Sequence, residues 1–260
     1  MMAMHGPVVI GTSGWNDADW RQNFYAGVAR RDWLRFCARR FTGIEVNATF
    51  YRLQDRRTFA RWCEETPPAF RFAVKANRYL THVKRLLDPV EPIQQERERA
   101  GGLGDKLAVV LWQLPGSLPK AMDRLERFAH GLDDWPDTRH VVEFRHPSWF
   151  VPEVAASLRA HRLAVCWSDA ADWPLWEAIT TDLVYVRLHG HPQTYVSAYE
   201  PAALDAWAGR IRGWLDARRQ VHVYFDNSAH GAAPQDALRL LASMGRAAPA
   251  GPCQADEGGV

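Results

Sequence analysis

The 260-residue chain is predicted to fold as one α/β domain, a single TIM-type (β/α)8 barrel. Short apolar runs recur along it, too short for buried helices, and segments of helical periodicity separate them. Each crossover is long enough to hold a helix, which makes neighbouring strands parallel. Polar residues also gather at the carboxyl ends of these runs, on one parity, as the mouth of a closed barrel requires.

The first strand is read at Val8–Ile10, stopping at GTSGW, where two glycines and two hydroxyls suit a backbone turning close to a ligand. A helical pattern over Asp32–Arg40 leads to the second strand in GIEVNATFYR, Gly43 to Arg52. A helix over Thr58–Glu65, closed by Pro67 and Pro68, precedes the third strand at Arg71–Lys75. Residues 76–105 carry two prolines and the charged run QQERER, and are expected to form a loop with one or two surface helices, or a lid. The fourth strand, Ala108–Leu114, ends at Pro115 and is followed by a helix over Lys120–His130. Strands follow at Val141–Phe144, Leu163–Trp167, Leu183–Leu188 and Val221–Phe225, with helices at Pro152–His161, Ala202–Ala217 and Pro234–Met244. The barrel is taken to occupy residues 1–245, and the Gly-, Ala- and Pro-rich stretch 246–260 is expected to be disordered. An open doubly wound sheet is the competing arrangement, but no GxGxxG follows the first strand.

A net charge of +2 gives no general electrostatic case for nucleic acid or an anionic membrane. The four cysteines, Cys37, Cys63, Cys166 and Cys253, show no CxxC pairing, which excludes a zinc ribbon or disulfide framework and fits a reducing cytoplasm. No run approaches the roughly 20 apolar residues of a membrane span, and the start MMAMHGP does not read as a signal peptide. A cytoplasmic protein with no membrane partner is expected, and no protein partner is identified. Only four lysines occur, Lys75, Lys84, Lys106 and Lys120, which makes their positions informative.

Alternation along each strand puts Glu45 with Asn47, Lys75 with Asn77, Glu143 with Arg145, Arg187 with His189 and Tyr224 with Asp226 on one parity, joined by Gln113. Glu45, Lys75, Glu143 and His189 are the candidate catalytic residues. Asn47, Tyr51, Asn77, Gln113, Arg145, Trp149, Arg187, Asn227 and Ser228 are the candidate substrate-binding residues. No metal is assigned and the cofactor is left open. Glu45, Glu143, Asp169, His189 and Asp226 are chemically able to ligate one, yet no HxH or HExxH is present and the nearby cations oppose it. The bland alternative is an ion-pair network that fills a polar barrel plug.

The words GTSGW, GIEVNATFYR, FRFAVKANRYLTHVKRL, DKLAVVLWQLP, VEFRHPSW, YVRLHG and VYFDNSAHGAA occur in the order of the domain of unknown function 72 family, also called YecE-like. The chain resembles that family from Ile10 to about Leu241. The resemblance implies a TIM-type barrel and carries no established activity. Where the family commonly shows two asparagines after the last strand this chain has Asp226 and Asn227, and where it commonly has Asn-Ala in the closing helix this chain has Asp236 and Ala237.

The leading expectation is an enzyme using acid–base chemistry on a small anionic, phosphorylated ligand. Lys75, Arg145 and Arg187 would hold the anion while Glu45, Glu143 and His189 move protons. The anion is placed between Arg187, His189, Asn227 and Ser228, with Arg145 on the opposite wall. The alternatives are a binder of single-stranded or damaged nucleic acid using Trp15, Tyr51, Trp149, Trp173 and Tyr195 as stacking surfaces, and a metal-dependent phosphodiester hydrolase.

Overall fold

In a computed structural model that describes residues 8–245, eight parallel strands pair in the order β1-β8-β7-β6-β5-β4-β3-β2. The strands are β1 Val8–Thr12, β2 Gly43–Val46, β3 Arg71–Lys75, β4 Leu107–Gln113, β5 Arg139–Glu143, β6 Ala164–Asp169, β7 Leu183–Leu188 and β8 Gln220–Phe225. The helices are α1 Trp33–Ala38, α2 Ala48–Tyr51, α3 Arg56–Glu64, α4 Val90–Ala100, α5 Met122–Leu132, α6 Pro152–Ala160, α7 Pro201–Asp216 and α8 Ala232–Ser243. Each predicted strand is present, with ends that coincide or differ by at most two residues where bounds are read. The expected disorder of 246–260 lies outside the described residues.

The barrel closes between β1 and β2 without a regular ladder. Thr42 N–H donates to Ile10 O at 3.2 Å, the Thr42 hydroxyl accepts from Ile10 N–H at 2.8 Å, and a single bridge joins Ser13 to Glu45. Glycine is required at this seam by contact distance. A Cβ on Gly11 would lie 1.9 Å from the Gly43 carbonyl oxygen, and one on Gly43 would lie 2.4 Å from Val9 and 2.5 Å from the Arg71 carbonyl.

Both faces of the sheet are buried, so the strands read as nearly continuous apolar runs. One parity fills the barrel with Val9, Ala73, Val109, Leu111, Val141, Ala164, Cys166, Leu183, Tyr185 and Tyr224. The other, including Ile10, Ile44, Phe72, Val110, Val142, Val186 and Phe225, packs under the helices. There Tyr25 stacks on Trp33 at 4.3 Å, and Trp112 meets Phe128 edge-on at 5.3 Å.

The crossover expected as a surface loop or lid is anchored. It forms a turn of π-helix over Tyr79–Val83, then α4 and a 3-10 segment Gly101–Lys106, and buries Leu80, Leu86, Ile93 and Glu96. Glu96 Oε2 accepts the Asn77 backbone N–H at 3.2 Å, which ties α4 to the end of β3.

Candidate active site

The inward parity of β7 carries Arg187 into the centre of the barrel, where its side chain is wholly buried. Its Nε donates to both Glu45 oxygens at 3.1 and 3.0 Å. Nη1 donates to Glu143 Oε2 at 3.2 Å and meets His189 Nε2 at 3.3 Å, while Nη2 donates to Glu45 Oε1 and Asp226 Oδ2, both at 2.9 Å. A guanidinium has five N–H donors, and these contacts engage all of them. The carboxylates are likewise held by side chains around the ring. Glu45 accepts from Ser13 Oγ at 2.5 Å and Tyr185 OH at 2.6 Å; Glu143 Oε1 accepts from Arg145 Nε at 2.6 Å and Ser168 Oγ at 2.9 Å. Buried charges survive only when paired and hydrogen-bonded in this way.

The cluster sets its own protonation. Burial pushes the Glu143 carboxyl up, but Arg145 and Arg187, with His189 and Lys75, outweigh it and hold the acid far below the usual carboxylate range. Asp226 follows the same balance: burial raises it, and Arg187 and His189 bring it lower still. Arg187 is pushed further up by its three carboxylates against the opposing effect of burial. His189 is lowered by burial and by Arg187, so the neutral ring is favoured, with Nε2 accepting from the guanidinium. Its Nδ1 lies 3.1 Å from Asp226 Oδ2, misaligned for a hydrogen bond and otherwise unpartnered among the described residues.

Above this closed layer the mouth begins. Lys75, at the last residue of β3, is only 6% exposed, and its Nζ sits 4.4 Å from the centroid of the Phe50 ring. Among the described residues no carboxylate oxygen comes within ion-pairing distance of it. Burial, then the neighbouring Arg187, brings its pKa down to about 8, with Glu143, Asp226 and Glu45 acting the other way. Arg145 stacks its guanidinium 3.7 Å from the Trp173 centroid, and Trp173 donates to Ser168 Oγ at 3.0 Å and meets the His189 ring edge-on. Gln113 pairs in register with Glu143, half-buried at the end of β4. Ser13, Trp15, Asn47, Tyr51, Asp226 and Ser228 line an open cleft of about 260 Å³ at this end, with the Asn47 amide oxygen buried and unpartnered among the described residues. Larger depressions of about 600 and 530 Å³ lie at the other end, beside the starts of β4 to β7. Barrel enzymes do not place their chemistry there.

The predicted site residues therefore fall into three groups. Glu45, Glu143, Arg187 and His189 come together as a sealed floor, so Arg187 has no donor left for an external anion. Lys75, Asn47, Tyr51, Gln113, Arg145 and Ser228 are at the mouth. The rest are turned to scaffold contacts. Asn77 bonds Thr49 O and Tyr79 N–H. The Asn227 amide donates to Ser197 O and to Asp236, both at 2.9 Å. Trp149 is not at the mouth: it is fully buried against Phe144 and donates to Leu118 O at 2.8 Å, because Phe144 faces the helices and carries the following turn outward. Sequence reasoning missed Ser13, Ser168 and Tyr185, although the parity rule that marks Glu45, Glu143 and Arg187 marks them too.

No metal is assigned to the floor, whose carboxylates are taken by Arg187, Arg145 and hydroxyls. The His/carboxylate group among the described residues with ligand atoms within 4.8 Å of one another is Glu126, His130 and His161, on and beside α5 and α6. No helix among the described residues is long and apolar enough to cross a membrane.

Comparison with known proteins agrees with this fold. The chain is 24% identical over 266 residues to the UPF0759 protein YunF of Bacillus subtilis (strain 168), spanning 90% of this chain and 93% of that protein. A crystal structure of the DUF72 family protein TM1631 from Thermotoga maritima MSB8 superposes with a TM-score of 0.82 at 26% identity, covering 92% of this chain and all of that one. The DUF72 family protein EF0366 of Enterococcus faecalis V583 gives 0.81 at 18% identity, covering 96% and 100%. The model of the family described as protein of unknown function DUF72 matches residues 9–256, and the chain belongs to that family.

Proposed function

We propose that the protein is a TIM-barrel enzyme that carries out acid–base chemistry on a small anionic, phosphorylated ligand at the carboxyl-terminal mouth of the barrel. The observation that carries this reading is Lys75: a nearly buried ammonium at the end of β3 with no carboxylate partner among the described residues, above a floor whose charges are already matched. An amine with a pKa of about 8 gains and gives protons near neutrality, as a general base or acid must. Glu143 and Asp226 stay ionised beneath it and favour cationic states of a reacting group. The anion is held by Lys75 and Arg145, since Arg187 is committed internally, and Ser228, Asn47 and Tyr51 bound the open side.

Thermal shift against inorganic phosphate and a panel of phosphorylated metabolites tests the reading. A rise in Tm with at least one anion, abolished by Lys75→Met and by Arg145→Ala, is the expected result. No shift with any anion removes the proposal.

The exposed rings of Tyr51, Tyr79 and Tyr195, which follow β2, β3 and β7, favour a second reading in which bases of a single strand stack at the rim. Oligonucleotide affinity that falls steeply with salt is its signature, and absent binding removes it.

A further inference from the structure

We infer that Lys75 is a nucleophile that forms an imine with the carbonyl carbon of an aldehyde or ketone substrate, which makes the ligand of this site a carbonyl compound. The inference deepens the acid–base reading above and rests on its placing of the reaction at the mouth.

Three features of the surroundings fit an amine kept for reaction. First, the chain has four lysines, and three have oxygen partners. Lys84 lies 3.3 Å from Asp88, Lys106 donates to Cys63 O and to Thr66, and Lys120 lies 2.6 Å from Glu153. Lys75 forms no ion pair with a carboxylate among the described residues and faces the Phe50 ring at 4.4 Å, whereas Lys84, which has the Tyr79 ring at 6.0 Å, is also paired with Asp88. Second, a buried cation is placed beside it. Desolvation and a neighbouring positive charge are the two devices that keep a lysine amine free of its proton near neutrality, and burial at the end of β3 and Arg187 supply them. Third, its backbone is braced. Thr49 Oγ donates to Lys75 O at 2.7 Å and Asn77 Nδ2 donates to Thr49 O at 3.0 Å, so β3 and the start of α2 are fixed to each other at the reacting position.

The step balances without an oxidant or reductant. The neutral amine adds to the carbonyl carbon, an N–C bond forms, and the oxygen takes a proton to give a carbinolamine. Loss of the C–O bond then expels that oxygen as water with both amine hydrogens, and one solvent proton leaves the imine cationic. The iminium charge stands where the ammonium charge stood, so Glu143, Asp226 and Glu45 counter it with no rearrangement of the floor. Such a cation withdraws electrons from the adjacent carbon, and proton transfer there is the acid–base chemistry proposed above.

The test uses the full chain with pyruvate, glyceraldehyde 3-phosphate or propionaldehyde at pH 7.5, followed by borohydride reduction and peptide mass spectrometry. Lys75 is expected to carry the adduct at least ~10-fold above each other lysine, since an amine with a pKa brought down to about 8 is substantially unprotonated at this pH. Lys75→Arg, which keeps the charge, is expected to lose the adduct. Labelling spread evenly over the four lysines, or none at Lys75 with all three probes, overturns the inference. If phosphate ligands still raise Tm in that case, the anion reading survives it. A Lys75 adduct with propionaldehyde and no anion shift leaves the covalent role standing and removes the anion.

Discussion

Lys75→Met is expected to make the protein more stable at neutral pH, by an amount set by the site. A lysine pKa brought from an ordinary 10.5 to about 8 means that the folded state disfavours the ammonium. At about 1.4 kcal/mol per pH unit, this is a cost of ~3 kcal/mol whenever the group is protonated in both states. The residue is almost fully buried, so solvent screening does not reduce this figure greatly. Methionine keeps the stem and offers its sulfur to Phe50 in place of the ammonium. The sign over pH follows from the lowered folded value. Below pH 8 the full cost applies; between about 8 and 10.5 the folded lysine sheds its proton while the unfolded one keeps it, so the wild type recovers. The variant should therefore unfold at higher urea than the wild type at pH 7, with the gap nearly closed at pH 10.5. Tyrosines titrating in that range are common to both proteins and cancel in the difference. A variant less stable than the parent at pH 7, or a gain that does not shrink with rising pH, would show that Lys75 is a supporting charge of the plug.

The floor predicts the opposite response. Arg187→Met strands three buried carboxylates and should cost ~3–5 kcal/mol or more at pH 7. Wild-type Glu143 and Asp226 have depressed folded pKa values, so their contribution is present above the ordinary carboxylate range and is lost only as pH falls through the lower folded values. In the variant, protonation of the stranded acids relieves the penalty, so its deficit in urea melts should be smaller at pH 5 than at pH 7; an equal deficit contradicts this. Glu96→Gln tests the anchored crossover: burial lifts the Glu96 pKa from 4.5 to about 7, so stability falls as pH rises between those values. The variant should gain up to ~3 kcal/mol at pH 8 and nothing at pH 4, and a loss at pH 8 would mean that the ionised carboxylate is needed.

The barrel was legible because its evidence is periodic and redundant: AVVLWQL or LVYVRL has few other readings between helical crossovers, and parity alone sorted the floor from the outer core. What sequence could not supply was saturation. Arg187 and Lys75 look alike as cations at strand ends. Only the three-dimensional arrangement shows that one has spent its donors on three carboxylates and His189 while the other has an aromatic ring. Tyr185 was hidden because an aromatic in a strand reads as packing, which it also is, and its hydroxyl reaches Glu45 across the barrel. Trp149 erred the other way. HPSW follows a site strand, but the turn leaves on the helix side, and a single residue of register separates mouth from core.

The matched floor has a consequence for how the mouth can respond to reaction. Water meets a new charge by turning its dipoles, and that turning is part of the barrier in solution. A guanidinium locked to three carboxylates and braced by Ser13, Tyr185 and Ser168 has no such freedom. Its field is fixed before anything binds, and a charge that develops above it is met without reorganisation. On the reading proposed above, discrimination between guests then belongs to the loops, while the barrel supplies one unchanging electrostatic ground beneath them.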